Sequence, residues 1–303
     1  MRASGNGSAE PPHPAQLAVG VVGAGRAGTA MAGALVRAGH RVVAASGISQ
    51  ASLRRIAASL PEVPVLRPEQ VVEQADLVLL TVPDDVLAGL VAGFAATEVP
   101  MEGRLMVHAS GRHGLAVLDP VVAKGALPLA LHPVMTFTGQ REDVAKMAGI
   151  SFGVTAPAAL RPVAEVLVVE MGGEPVFIEE DKRDLYHAAL ASAANYLVTL
   201  VATAADMLGA AGVADPAAML GPLLAASLEN SLALGSAALT GPVARGDAET
   251  VAAHIAAIKA TAPEALAAYL ALARLTADKA LAARRLSADD AQRLLGVLSG
   301  PQS

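Results

Sequence analysis

LAVGVVGAGRAGTAMAGALVRAGHRVVAAS, residues 17–46, decides the fold. An apolar run (17–22) meets Gly23-Ala24-Gly25-Arg26-Ala27-Gly28, a helix-like stretch follows to Ala38, and a second apolar run (41–46) begins after Gly39-His40. A G-x-G-x-x-G alone is a weak signal in a chain with 28 glycines, but strand, glycine loop, helix and strand in this order are the context the motif requires. Gly23 permits a tight turn, Gly25 lets backbone approach a pyrophosphate, and Gly28 allows helix and strand to pack closely. The free N–H groups opening the helix at Arg26 and Ala27 offer partial positive charge to phosphates. A site for NAD places Asp or Glu about twenty residues on, against the ribose 2′-hydroxyl. Here the second run ends in Ser46-Gly47, with Ser49, Arg54 and Arg55 nearby and no carboxylate. That points to a 2′-phosphate and hence to NADP(H), with Arg54 and Arg55 either contributing to it or forming a solvated helix face.

Outward from this stretch, apolar runs alternate with helical patterns as far as residue 178: VPVL (63–66), ADLVLLTV (75–82), RLMVHAS (104–110), LPLALH (127–132), ISFGVT (150–155) and EPVFI (174–178). Continuous apolar strands joined by helices predict an α/β fold, a doubly wound parallel sheet of Rossmann type covered on both faces. Beyond 178 only helical periodicity remains, so the chain divides into a disordered tail (1–16), an NADP-binding domain (17–178) and an all-α domain (179–303) for substrate and dimerisation. Helix starts are expected at Asp181, at a Thr261-Ala262-Pro263-Glu264 capping box and at Ser287-x-x-Asp290. Ala188–Ala205 carries no charge, but its Ser192, Asn195, Thr199 and Thr203 favour a buried bundle helix over a membrane span.

Composition excludes several classes. The net charge of −6 argues against nucleic acid as partner. With Cys at 0, disulfides, thiolate metal sites and thiol nucleophiles are ruled out, and no metal site is expected. Four Phe, three Tyr and no Trp leave the core to Ala, Leu and Val. The first sixteen residues lack the apolar stretch of a signal peptide, which fits a cytoplasmic protein.

Several residues could carry chemistry. Thr81-Val82-Pro83-Asp84 ends a strand at the carboxyl edge, where ligands of open α/β sheets lie, with Val82 and Pro83 against the cofactor and Asp84 either a ligand or a helix cap. His108-Ala109-Ser110-Gly111 and His132-Pro133 end two further strands on that edge. Histidine near its ordinary pKa suits proton donation, so His132 is the candidate donor, with Ser110 orienting it or holding substrate. Alternatively His132 bonds backbone at its turn and Ser110-Gly111 is only a turn, while His108, inside an apolar strand, reads as a core histidine. His187 and Asn195 share a helix face, either lining a cleft or bonding between helices. Arg245 could clamp a substrate carboxylate, and Asp247 caps the next helix.

VGVVGAGRAGTA (19–30), LLTVPDD (79–85), VHASG (107–111), LHPVMTF (131–137), YHAALASAANYL (186–197) and LTGPVARGD (239–247), in this order, resemble the bacterial Rossmann-like oxidoreductases with a helical C-terminal domain of unknown function. Their superfamily includes 6-phosphogluconate dehydrogenase, pyrroline-5-carboxylate reductase, ketopantoate reductase and prephenate dehydrogenase. The resemblance implies a nicotinamide cofactor, a helical domain that closes the substrate cleft, and often a homodimer. It also implies a His-Ser pair like that of prephenate dehydrogenases at His132 and Ser110. The Lys-Asn pair of the 6-phosphogluconate and ketopantoate enzymes has no counterpart, since Tyr186 follows Lys182 and Ala191 follows His187 at that spacing. The expectation is an NADP(H)-dependent oxidoreductase acting on a small carboxylate-bearing carbonyl or alcohol, ketopantoate first. A prephenate-like or imine-reducing dehydrogenase and a non-catalytic NADP(H) sensor are the alternatives.

Overall fold

The computed structural model describes residues 16–299, so the expected disordered tail lies outside the described residues except for Gln16, whose side chain donates to Gly39 O at 2.8 Å. The chain forms two compact units that meet between Ala191 and Ser192.

The first unit contains, in order, β1 (Ala18–Val22), α1 (Arg26–Arg37), β2 (Arg41–Ser46), α2 (Gln50–Ser59), α3 (Pro68–Gln74), β3 (Leu77–Leu80), α4 (Asp84–Ala95), β4 (Leu105–His108), α5 (Asp119–Val122), β5 (Leu127–Pro133), α6 (Glu142–Lys146), β6 (Ser151–Thr155), α7 (Arg161–Glu170) and β7 (Glu174–Phe177). The strands make one seven-stranded sheet in the order β2-β1-β3-β4-β5-β6-β7. One face is sealed by Met31, Leu35, Ile56, Met147 and Leu167, the other by Val71, Val72, Leu87, Val91 and Phe94, all buried. Strands covered on both faces have no polar side, which is why their sequences read as unbroken Val and Leu.

Two expectations for the sheet are corrected. It is not parallel throughout, because β6 runs antiparallel to β5 with His132 opposite Gly153. The chain between them stays at one sheet edge, where Val134 N already donates to Ser151 O, and five-residue α6 provides no crossover. VPVL forms no strand, only one bridge between Val65 and Ala45. Pro64 has no N–H to give a ladder.

Helix α8 (Arg183–Ala210) begins in the first unit and ends in the second, which adds α9 (Pro216–Leu234), α10 (Pro242–Arg245), α11 (Ala248–Thr261), α12 (Leu266–Ala282) and α13 (Ala288–Leu298). Its core is small: Val251, Ala273, Ala277, Ala280, Leu294 and Leu298. Asp247 caps α11 by accepting from Thr250 N, and Ser287 caps α13 by accepting from Asp290 N, as their sequence signals predict. The Thr261 capping box does not form, since α11 runs on through Thr261 and its hydroxyl donates back to Ala257 O. Ala188–Ala205 is not a buried helix either. Tyr196 is 67% and Val198 69% exposed, and among the described residues both α8 and α9 are long and apolar enough to cross a membrane. Their apolar residues encircle the helix, and among the described residues no second layer covers them.

One side chain ties the sheet to the start of α8. Arg183 is 1% exposed, and its guanidinium meets only neutral acceptors. Nε donates to Thr155 Oγ1 (2.9 Å), Nη1 to the carbonyls of Ser110 (3.0 Å) and Gly111 (3.3 Å), and Nη2 to those of Ala130 (3.2 Å) and Gly153 (3.0 Å). It thereby joins the segment after β4 to β5 and β6. Bonds from a charged donor contribute roughly 1.5–3 kcal/mol each. Arg183→Met is therefore expected to lower unfolding free energy by at least about 3 kcal/mol in urea titrations. A change below about 1 kcal/mol would show that the knot is not structural.

Candidate active site

Strands β2 and β3 flank β1, so successive connections leave β1 in opposite directions and open a crevice at the carboxyl ends of β1 and β3. The glycine loop lies there, and its glycines answer to different constraints. Gly23 adopts φ +87°, and Gly23 N and Ala24 N both donate to Ser46 O at 3.1 and 2.9 Å. A Cβ on Gly28 would sit 2.2 Å from Thr81 Oγ1, the hydroxyl that pins the loop by donating to Gly23 O. Gly25 differs, because a Cβ there would have no neighbour nearer than Gly23 O at 3.7 Å. Nothing among the described residues demands glycine at 25, whereas a phosphate against the α1 N-terminus would. Beside it Arg26 is exposed, Ala27 half-buried and the first turn free of carboxylates. Ser46 is buried at the end of β2, Val82 is half-buried and Pro83 exposed. The residues therefore fit a dinucleotide. Asp84 does not cap α4, whose cap position is Pro83.

The second group gathers at the end of β5. His132 Nδ1 lies 2.8 Å from Tyr186 Oη, and the His187 ring stands edge-on to it with centroids 6.3 Å apart. Gly111 passes between the two imidazoles, since a Cβ there would come within 2.9 Å of His132 Nε2 and 2.7 Å of His187 Cδ2. Gly153 makes room for the phenol in the same way, as its Cβ would lie 2.3 Å from Tyr186 Oη. Ser110, the expected partner of His132, instead accepts from His113 N and shapes a turn. The expected near-neutral titration of His132 is also corrected. Burial, with the nearby Arg183 charge and His187 adding to it, pushes the imidazole down to about 4. Burial raises the Tyr186 phenol above its ordinary value although Arg183 pulls it down. At neutral pH the pair is an uncharged imidazole bonded to an uncharged phenol.

His108 is a satisfied core histidine. Ser110 N donates to Nδ1 at 3.2 Å, which leaves the ring proton on Nε2 to donate to Gly114 O at 2.8 Å. Asn195 and Arg245 belong to the second unit. Asn195 is exposed, and Arg245, also exposed, donates to the carbonyl of Thr240 in its own loop. Tyr186 and Arg183 are the residues that sequence reasoning missed. A signal existed: an arginine and one of only three tyrosines in the chain, one helical turn apart and next to His187.

Fold and site define an α/β dinucleotide-binding unit joined to an all-α unit. Residues 4–133 match the Rossmann-like domain family and residues 150–276 the domain of unknown function DUF2520. Among solved structures, a candidate NADP oxidoreductase from Bacteroides fragilis is 23% identical, covers 87% of this chain and 98% of its own, and superposes with a TM-score of 0.73. An imine reductase from Pseudomonas sp. is 18% identical over 94% of this chain and 100% of its own, TM-score 0.63. Plasmodium falciparum pyrroline carboxylate reductase with NADP bound is 12% identical over 87% and 98%, TM-score 0.55. These likenesses establish the fold. No curated protein matches.

Burial also pushes His108 down to about 4 from 6.5. The unfolded chain binds this proton near 6.5 and the folded chain only near 4, so the stabilisation is complete above the first value and lost as pH falls toward the second. That difference corresponds to roughly 3 kcal/mol. Unfolding free energy is expected to drop steeply across this window, and His108→Asn should flatten the slope by about half, His132 supplying the rest. An unchanged slope in the variant would mean that other groups drive acid unfolding.

Proposed function

We propose that the chain is an NADP(H)-dependent oxidoreductase acting on a small carboxylate-bearing carbonyl or alcohol, with ketopantoate the first substrate to test. The observation that carries this reading is the uncharged His132–Tyr186 pair at the end of β5, on the carboxyl edge that also holds the glycine loop. The space at Gly25, the missing carboxylate after β2 and the likeness to NADP oxidoreductases support the cofactor assignment. When bound, NADP(H) supplies or accepts hydride at C4 of its nicotinamide.

The chain's own residues manage the proton. With the phenol donating to Nδ1, the imidazole carries its ring proton on Nε2. During reduction, Nε2–H gives its proton to the developing alkoxide while the Tyr186 proton moves to Nδ1. The imidazole stays neutral and the phenolate charge forms 5.8 Å from the Arg183 guanidinium, measured from its carbon to the ring centroid. Solvent then reprotonates Tyr186, and in the oxidation direction each transfer reverses. The neutral imidazole also favours a second reading, reduction of an imine, because an iminium carries its own proton.

Titration with NADPH and NADH, followed by nicotinamide fluorescence, is expected to show tight binding of NADPH alone; binding of neither removes the oxidoreductase reading. Tight binding without turnover of any oxo acid or cyclic imine would favour the sensor. His132→Ala is expected to lower kcat by about 10²–10⁴-fold while cofactor affinity changes little. Tyr186→Phe should lower kcat with KM retained. Turnover by the parent chain should show no titration near pH 6–7, where an imidazolium donor would lose activity as pH rises. Unchanged kcat in His132→Ala would remove it from the mechanism.

We also propose a homodimer formed through the helical unit. Leu223 and Leu232, at 63% and 81% exposure, lie on α9 among many uncovered apolar residues of α8 and α9. Light scattering of the detergent-free protein should give twice the chain mass. A stable monomer, or partition into vesicles, would overturn the dimer.

A further inference from the structure

A carboxylate-bearing substrate needs a cation to hold it, and few near the His132–Tyr186 pair have donors to give. Arg183 spends its guanidinium on Thr155 Oγ1 and four carbonyls. Lys182 is engaged by Asp181 at 2.7 Å. Arg245 belongs to the second unit and bonds its own loop.

Arg112 differs from these. It follows Gly111, the residue that lies between the His132 and His187 rings, so its main chain leaves directly from the edge of the site. Its side chain returns to α8, where Nε donates to Asp184 Oδ1 at 3.2 Å. Asp184 lies three positions before His187, a spacing that puts both on one face of the helix. His187 in turn stands edge-on to His132. The Arg112 guanidinium thus meets α8 on the face that borders the proton donor.

This arginine is arranged to bind a ligand rather than to brace the fold. Its contact with Asp184 uses Nε alone, and among the described residues the forked end, Nη1 and Nη2, meets no acceptor. The two side chains are 59% and 83% exposed, and an ion pair so open to water contributes little to stability. One bond of 3.2 Å is also long for two full charges, whereas a carboxylate facing the fork makes two short parallel bonds. Exchanging Asp184 for a second carboxylate therefore loses a weak contact and gains a strong one.

We propose that Arg112 binds the substrate carboxylate through Nη1 and Nη2, displacing Asp184, and so sets the preference for an acid over a neutral carbonyl compound. This rests on the oxidoreductase reading above and gives its substrate class a specific residue. Asp184 competes with the substrate for the same guanidinium and tunes its affinity.

The test is steady-state kinetics of the full chain with NADPH on a panel of 2-oxo acids, ketopantoate among them, and on their ethyl esters, which keep the carbonyl and lose the charge. The parent chain is expected to reduce at least one acid with a KM about tenfold or more below that of its ester. Arg112→Ala should raise KM for the acid by about 10–100-fold with kcat retained, abolishing the preference over the ester. Arg112→Lys, a point charge without the fork, should restore part of it. Asp184→Asn should act in the opposite direction and lower KM for the acid, whereas a purely structural ion pair would make both variants err alike. NADPH affinity, read by nicotinamide fluorescence, should hold in all three and reports on folding. If the parent chain reduces an acid and Arg112→Ala keeps its KM, or if acid and ester have equal KM, the clamp is refuted while the oxidoreductase reading stands. If the parent chain binds NADPH but reduces neither acid nor ester, the substrate class fails and the clamp with it.

Discussion

The structure turns on a buried cation whose hydrogen bonds all go to neutral oxygens, with Glu180 acting on it only through its charge. Arg183 contributes every guanidinium donor to four carbonyls and a hydroxyl, and each acceptor lies on a segment that must be held at the carboxyl edge of the sheet. A carboxylate partner would cancel the charge but would bring a desolvation cost of its own. Carbonyl dipoles satisfy the donors without cancelling the field. The residual positive potential falls on His132 and Tyr186, where it opposes protonation of the imidazole and eases loss of the phenolic proton. One side chain thus fixes the geometry around the pair, while burial sets the protonation state, helped by the Arg183 field at His132 and opposed by it at Tyr186.

Space around that pair is set by residues with no side chain. Gly111 separates the His132 and His187 rings, and Gly153 lets the phenol lie against β6. The antiparallel pairing of β5 and β6 brings Gly153 opposite His132, so the one irregularity in the sheet direction is what admits Tyr186. At the glycine loop the logic is reversed. Gly23 is fixed by its backbone conformation and Gly28 by Thr81, while Gly25 meets no internal demand and is open to a ligand.

Helix α8 serves two environments. Its first turn carries Arg183, Tyr186 and His187 into the sheet unit, and beyond Ser192 it presents apolar side chains that its own chain leaves exposed. Composition alone makes both halves look alike. The hydroxyls of Thr199 and Thr203 that suggested a buried bundle helix are satisfied within the helix, by the carbonyls of Asn195 and Thr199.

What the sequence determined by itself is what short stretches decide. The βαβ start at 17–46, the apolar strands and the caps at Asp247 and Ser287 all depend on residues a few positions apart, whose spacing survives in any tertiary setting. The glycine loop was legible for the same reason. VPVL misled because apolar content says strand while Pro64 denies the ladder. Tertiary structure alone decided the direction of β6, the partner of His132 54 residues away on α8, and the pairing of Arg112 with Asp184 on that helix. It also moved His132 from a near-neutral titration to one about 4, because desolvation and the Arg183 field exist only once distant segments have packed around the ring. Local spacing encodes elements, whereas strand register and burial bring side chains together, and no local pattern records them.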